Sequence, residues 1–352
     1  MIIRKKDKNF ISIFNTETGF YVRSGIFVDG KETMEDPFMA SFPELIDVGV
    51  MGSCIHGRSG LCMKAGIECY QDGLHKTNPN MTVEDFASLV KQCEGKTFQF
   101  ALGGAGDPDM HENFEELLKI CREHNIVPNF TTSGLGMTPE KAAICKKYCG
   151  AVAVSWYRSD YTLKAIQMLK DAGVKTNIHY VISDKTIDEA IDRLENVSFP
   201  DVNAVVFLLH KPIGLGTKEN MIKIGDKRME KFLKLIEERS FPFKIGFDSC
   251  TVPALINLEH INKDSLDTCE GGRWSCYITP DMKMLPCSFD NDKERWAVDL
   301  RTHTLKEAWD SETFEDFRNH FRNACPNCEK REFCRGGCPI CPEIVLCGEK
   351  HE

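Results

Sequence analysis

From residue 45 onward, short apolar runs alternate with amphipathic stretches. β-Prone runs occupy 45–50, 98–102, 126–130, 151–155, 174–182, 204–209 and 243–247. Helical signals lie between most of them. Thr82 opens one helix in the manner of a capping box, and Phe86, Leu89, Val90 and Cys93 then recur at i, i+3, i+4, i+7, which marks one buried face. Phe114, Leu117, Leu118 and Cys121 repeat the pattern, and Thr138 with Pro139 starts a third helix. Strand–helix alternation over this length predicts parallel strands joined by right-handed crossovers. Six or seven such units fit a full or partial barrel. The fold class expected is α/β, a partial (β/α)6 TIM-like barrel over 41–250. Residues 1–40 alternate short apolar and polar stretches and read as a strand-rich extension. After about residue 250 the rhythm stops, and 251–352 reads as a small loop-rich domain with nine cysteines. Its apolar pattern is too thin for a large core, so metal is expected to help hold it together.

Composition sharpens this picture. The chain has 352 residues, 42% of them hydrophobic and 28% charged, and a formal net charge of −9. That balance argues against a general nucleic-acid binder, which needs a basic face. The N-terminus has charges but no apolar core of a signal peptide, and no run reaches the roughly 18 apolar residues of a membrane span. A cytoplasmic protein is expected, with neither nucleic acid nor membrane as partner. Thiols stay reduced there, so dense cysteine points to metal or catalysis. Seventeen cysteines are present, an odd number, and twelve fall into three groups.

The first group is Cys54, Cys62 and Cys69, spaced Cx7Cx6C directly after the first barrel strand. In a barrel that loop lies at the C-terminal ends of the strands, where chemistry sits. Three thiolates can hold three irons of a four-iron cluster and leave the fourth open to a small molecule. A structural zinc site, or three unrelated thiols, fits the spacing alone as well. His56 is a further possible ligand, or an ordinary solvated histidine. The next barrel strand ends in Gly103, Gly104, Ala105, Gly106, Asp107 and Pro108. Such a turn lets the backbone approach a ligand closely, and Asp107 can receive a cationic amine.

These features together resemble the radical S-adenosylmethionine (SAM) superfamily, in particular members with a C-terminal SPASM domain such as sulfatase-maturating enzymes and ribosomal-peptide maturases. The resemblance implies that Cys54, Cys62 and Cys69 hold the SAM-binding cluster with Tyr70 beside it. It implies that Gly103, Gly104, Ala105, Gly106 and Asp107 bind SAM in place of the family's GGEP motif. Ser155 and the segment from Lys211 to Gly214 resemble further SAM contacts. The first cysteine spacing departs from the usual CxxxCxxC, and Asp107 stands where Glu is usual.

The C-terminal group matches the SPASM signature in every gap: Cys325, Cys328, Cys334 and Cys338 are spaced Cx2Cx5Cx3C. The resemblance assigns one auxiliary cluster to Cys269, Cys276, Cys287 and Cys338. It assigns the other to Cys325, Cys328, Cys334 and Cys347, with Cys341 as rival for the last place. The expected cofactors are therefore three [4Fe-4S] clusters and SAM. Four thiolates suit zinc too, but the interleaved ligand order favours iron.

Cys93, Cys121, Cys145 and Cys149 read as helix-face thiols. Cys250 and Asp248 follow the last barrel strand and are the catalytic candidates: the thiol as hydrogen-atom donor or cluster ligand, the carboxylate as base or amine anchor. The function expected is reductive cleavage of SAM and hydrogen abstraction from a peptide or protein side chain, with flavodoxin or ferredoxin as a suitable reductant. Alternatives are a small-molecule substrate, or a non-catalytic iron–sulfur electron carrier. A carrier has no need of the glycine loop.

Overall fold

Polar–apolar alternation starts the fold. In the computed structural model, which describes residues 1–32, 39–291, 293–323, 327–329, 334, 338–344 and 346–347, three antiparallel strands come first: β1 (Ile2–Lys6), β2 (Phe10–Asn15) and β3 (Tyr21–Gly25). Phe10, Ser12 and Phe14 share the buried face of β2. Ser12 Oγ donates to buried Glu44 at 2.6 Å, and Tyr21 also donates to Glu44, tying this sheet to the foot of the barrel. A short hairpin, β4 (Phe27–Val28) and β5 (Lys31–Glu32), follows.

The barrel begins with β6 (Leu45–Met51) and a loop holding two single turns, α1 (Ile55–Arg58) and α2 (Leu61–Lys64). Then come α3 (Val83–Cys93), β7 (Gln99–Gly104), α4 (Phe114–Glu123), β8 (Val127–Thr132), α5 (Pro139–Tyr148), β9 (Val152–Ser155), α6 (Asp160–Asp171), β10 (Thr176–Ile182), α7 (Ile187–Glu195), β11 (Ala204–Leu209), α8 (Lys227–Glu238) and β12 (Lys244–Phe247). Strands β6 to β12 pair in sequence order, all parallel. Six strand–helix repeats are thus followed by a seventh parallel strand. Helix starts follow the sequence signals: Thr82 caps α3 by accepting from the Asp85 N–H at 3.1 Å, and Thr138 caps α5. Phe86, Leu89, Val90 and Cys93 of α3 are fully buried, as are Leu117, Leu118 and Cys121 of α4. Burial of each large apolar side chain contributes about 1.5–3 kcal/mol.

The sheet does not close on itself. After the short α9 (Val252–Leu255) the chain returns as β13 (Ser275–Ile278), which pairs parallel to β6 on the side away from β7. β14 (Lys283–Leu285) and β15 (Val298–Asp299) extend it antiparallel, giving ten strands. The cysteine-rich part is therefore continuous with the barrel sheet. Two helices, α10 (Leu305–Trp309) and α11 (Glu312–Asn323), pack behind it, and Trp309 Nε1 donates to the Ala40 carbonyl at 2.9 Å. Among the described residues no helix is long and apolar enough to cross a membrane.

Candidate functional site

The loop after β6 carries the first thiols at the C-terminal end of the barrel. Cys54 caps α1, and its Sγ accepts the Gly57 N–H at 3.0 Å. Cys54 and Cys62 are buried and Cys69 half-buried. Burial pushes the Cys54 thiol up to about 11, with Asp107, Cys69 and Cys62 adding to the effect. The three thiols and Asp107 therefore occupy one electrostatic neighbourhood. A buried thiol that resists losing its proton to water can lose it to a metal ion instead, and an amide N–H aimed at sulfur is a common way of tuning an iron–sulfur cluster. Among the described residues no three His, Cys, Asp or Glu side chains converge as ligands of a single ion. Three thiols with an amide N–H aimed at one sulfur are the donor set of a cluster that leaves one iron open.

The glycine turn lies directly on this loop. The Ala105 N–H donates to the Met51 carbonyl at 2.8 Å. A Cβ at Gly106 would stand 2.4 Å from the Ser53 carbonyl and 3.2 Å from Cys54 Cα, so only glycine permits the approach. Gly103 and Gly104 end β7 one step before. Asp107 Oδ1 accepts the Ser133 N–H at 2.8 Å and Oδ2 accepts its hydroxyl; burial raises the carboxyl above its ordinary range. Ser155 ends β9 and hydrogen-bonds Tyr157, whose own hydroxyl is pushed up by burial, with Asp107, Cys62 and Cys69 contributing.

The loop after β11 closes the other side. Gly214 has φ +62°, and a Cβ there would lie 2.4 Å from the Tyr70 carbonyl. The Leu215 N–H donates to the Cys69 carbonyl at 2.9 Å. Glu68, which the sequence did not single out, accepts the Thr217 N–H at 2.7 Å and Lys185 Nζ at 3.0 Å. Tyr70 is 39% exposed, and its ring meets Phe289 of the cysteine-rich part at 4.6 Å. His56 is buried, 2.6 Å from the Tyr161 hydroxyl and stacked on Tyr157.

Toward the barrel interior stand His179 and the Lys211–Asp248 pair, at 2.7 Å. Asp248 also accepts the Leu209 N–H at 3.1 Å and the Thr251 hydroxyl at 2.7 Å, so three donors occupy it. His179 contacts Thr131 at 3.2 Å and is pushed down to about 4, by burial first and with Asp248 opposing. The strand alternation of Asn177, His179 and Val181 was its only signal in the sequence.

Beside these groups lies a cavity of about 500 Å³ whose lining includes Cys250, Cys269, Cys276, Cys287 and Cys338. Cys338 Sγ accepts the Cys341 N–H at 3.3 Å. Of the second auxiliary group, Cys325 lies outside the described residues. Cys328, Cys334 and Cys347 are half-buried, and Cys341 is buried against Leu209 and Ile344.

Residues 269–334 match the SPASM family, an iron–sulfur cluster-binding domain. The chain is 22% identical over 305 residues to the mycofactocin maturase MftC of Mycolicibacterium smegmatis, covering 79% of this chain and 75% of that one. Its fold is shared with Streptococcus suis SuiB bound to precursor peptide SuiA, at a TM-score of 0.69 and 14% identity over 97% of this chain and 96% of the other. Native anSMEcpe with bound AdoMet and Cp18Cys peptide aligns at a TM-score of 0.60 and 18% identity, covering 85% and 90%.

Proposed function

We propose that this chain is a radical SAM enzyme with a SPASM domain that cleaves S-adenosylmethionine and takes hydrogen from a peptide or protein side chain. The observation that carries the reading is the contact between the glycine turn and the first thiol loop. Gly106 lies against the backbone of Cys54, and Asp107 shares the surroundings of Cys54, Cys62 and Cys69. An electron carrier needs no such turn.

In this reading Cys54, Cys62 and Cys69 hold a [4Fe-4S] cluster, which when bound supplies the electron that breaks a carbon–sulfur bond of SAM and releases methionine and a 5′-deoxyadenosyl radical. Asp107 receives the methionyl ammonium, with Ser133 fixing its two oxygens. Gly103, Gly104 and Ala105 offer backbone groups beside it. Ser155 and Gly214 border the nucleoside, and Tyr70 shields the thiol loop on the side of Phe289. Half-buried Tyr157 and Tyr161 limit water on the His56 side. Two auxiliary [4Fe-4S] clusters would be held in the cysteine-rich part, the distal one by Cys325, Cys328, Cys334 and Cys347, and would supply electron relay or a hold on substrate. Flavodoxin or ferredoxin supplies reducing equivalents in the cytoplasm. The peptide maturases among the similar proteins support a peptide substrate.

The test is anaerobic reconstitution followed by reduction with SAM and candidate peptides. Methionine and 5′-deoxyadenosine should form, and triple substitution of Cys54, Cys62 and Cys69 by Ala should abolish both while removing about a third of roughly twelve irons. Failure of the reduced, iron-loaded wild type to cleave SAM with any substrate would leave the electron-carrier reading.

A further inference from the structure

Strand parity sets the Cys276 side chain into the apolar core of the barrel. β13 pairs with β6 so that Cys276 stands opposite Ile46, and Tyr277 opposite Asp47. Alternate side chains leave opposite faces of a strand, so Cys276 shares the face of Ile46 and Ile278. All three belong to the apolar core that also contains Cys93 of α3. Cys276 is 2% exposed there. It also lines the cavity, from the strand that walls it.

Cys250 stands where a fourth ligand is wanted. It lies in the single turn Ser249–Thr251 that follows β12. The turn is pinned by Asp248, which accepts from Thr251, Leu209 and Lys211. Cys250 packs with Cys338 beside Leu209 and Cys341 and lines the same cavity as Cys269 and Cys287. The buried Lys211 ammonium adjoins this group and favours an additional anionic sulfur.

Resting on the iron–sulfur reading above, we propose that Cys250, and not Cys276, completes the four-thiolate set with Cys269, Cys287 and Cys338 around the 500 Å³ cavity. Each thiol gives up its proton on binding iron. A closed set of four protein ligands leaves no iron open. Cys250 then has no S–H to offer a substrate radical, so its role is that of a ligand.

The experiment compares full-length wild type with Cys250→Ala, Cys276→Ala and Cys276→Val, each reconstituted anaerobically. Iron and acid-labile sulfide are counted and Mössbauer and EPR spectra recorded. The Cys276 variants should keep the wild-type iron content, valine filling its apolar site. Cys250→Ala should lose about one to four irons per chain, or gain a three-iron EPR signal, while retaining SAM binding at the other cluster. Full iron with unaltered spectra in Cys250→Ala overturns the assignment, as does iron loss in both Cys276 variants. A wild-type chain that takes up no iron is read out first and overturns the parent reading as well.

Discussion

Lys211 Nζ and Asp248 Oδ2 meet at 2.7 Å, although 37 positions separate them in the chain. The lysine side chain is 1% exposed and the carboxylate 18%. Burial works against the lysine's charge, but Asp248, Cys250 and Cys287 hold its pKa above the ordinary value. The pair joins the loops after β11 and β12 and sits between the two thiol regions.

Removing one partner of such a pair strands the other charge. Lys211→Met should therefore destabilise the protein by about 3 kcal/mol in anaerobic urea unfolding. Adding Asp248→Asn, whose amide oxygen still accepts the Leu209 N–H while its NH2 donates to the Thr251 hydroxyl, should restore more than half of the loss. A double variant no more stable than Lys211→Met would show that the pair's charge is not the cause.

Asp107→Ala should weaken SAM binding by about 10–100-fold, the worth of a charge-assisted hydrogen bond. Iron content should not change, because Asp107 is not a ligand. Equilibrium dialysis of the reconstituted protein beside an iron assay separates the two. Ser133→Ala, which only orients the carboxylate, should have a smaller effect.

Gly214→Ala places a Cβ 2.4 Å from the Tyr70 carbonyl at a positive φ. Gly225 has a positive φ as well, +74°, but open space around it. Gly225→Ala should cost about 1–2 kcal/mol, from left-handed backbone alone. Gly214→Ala should cost more and also weaken SAM binding, because the loop must leave Cys69 and Tyr70. Equal thermal shifts for the two variants would contradict the close packing of that loop.

His179 is pushed down to about 4 in the folded protein, mainly by burial. The unfolded chain takes up this proton near pH 6.5, so its contribution to stability is full above that pH and declines as pH falls toward 4. The slope from this group is at most about 1.4 kcal/mol per pH unit. Urea unfolding between pH 7 and 4 should show a shallower acid loss for His179→Gln than for the wild type. Parallel curves would place the imidazole in contact with water.

Much of the barrel was legible in the sequence. Strands buried on both faces read as apolar runs, and the 3.6-residue period of α3 and α4 survives because one side of each helix meets the sheet. The thiol loop and glycine turn could be placed at one end of the barrel because parallel strands all finish there. Sequence spacing also set out the cysteine groups, since thiols repeated at short ligand-like gaps point to metal.

Which thiols meet was decided only by the tertiary structure. Spacing put Cys276 in one group with Cys269 and Cys287, but only the register of β13 on β6 sets it beside Ile46 in the apolar core, because a one-residue step in a strand reverses a side chain's face. Pairing across the sheet likewise made β13 a neighbour of β6, joined Lys211 to Asp248, and put His56 against Tyr161, 105 residues later. Local periodicity reports which side of an element is buried. It carries no information about which distant element will be buried against it, because that choice is made by the closing of loops and the packing of the whole sheet.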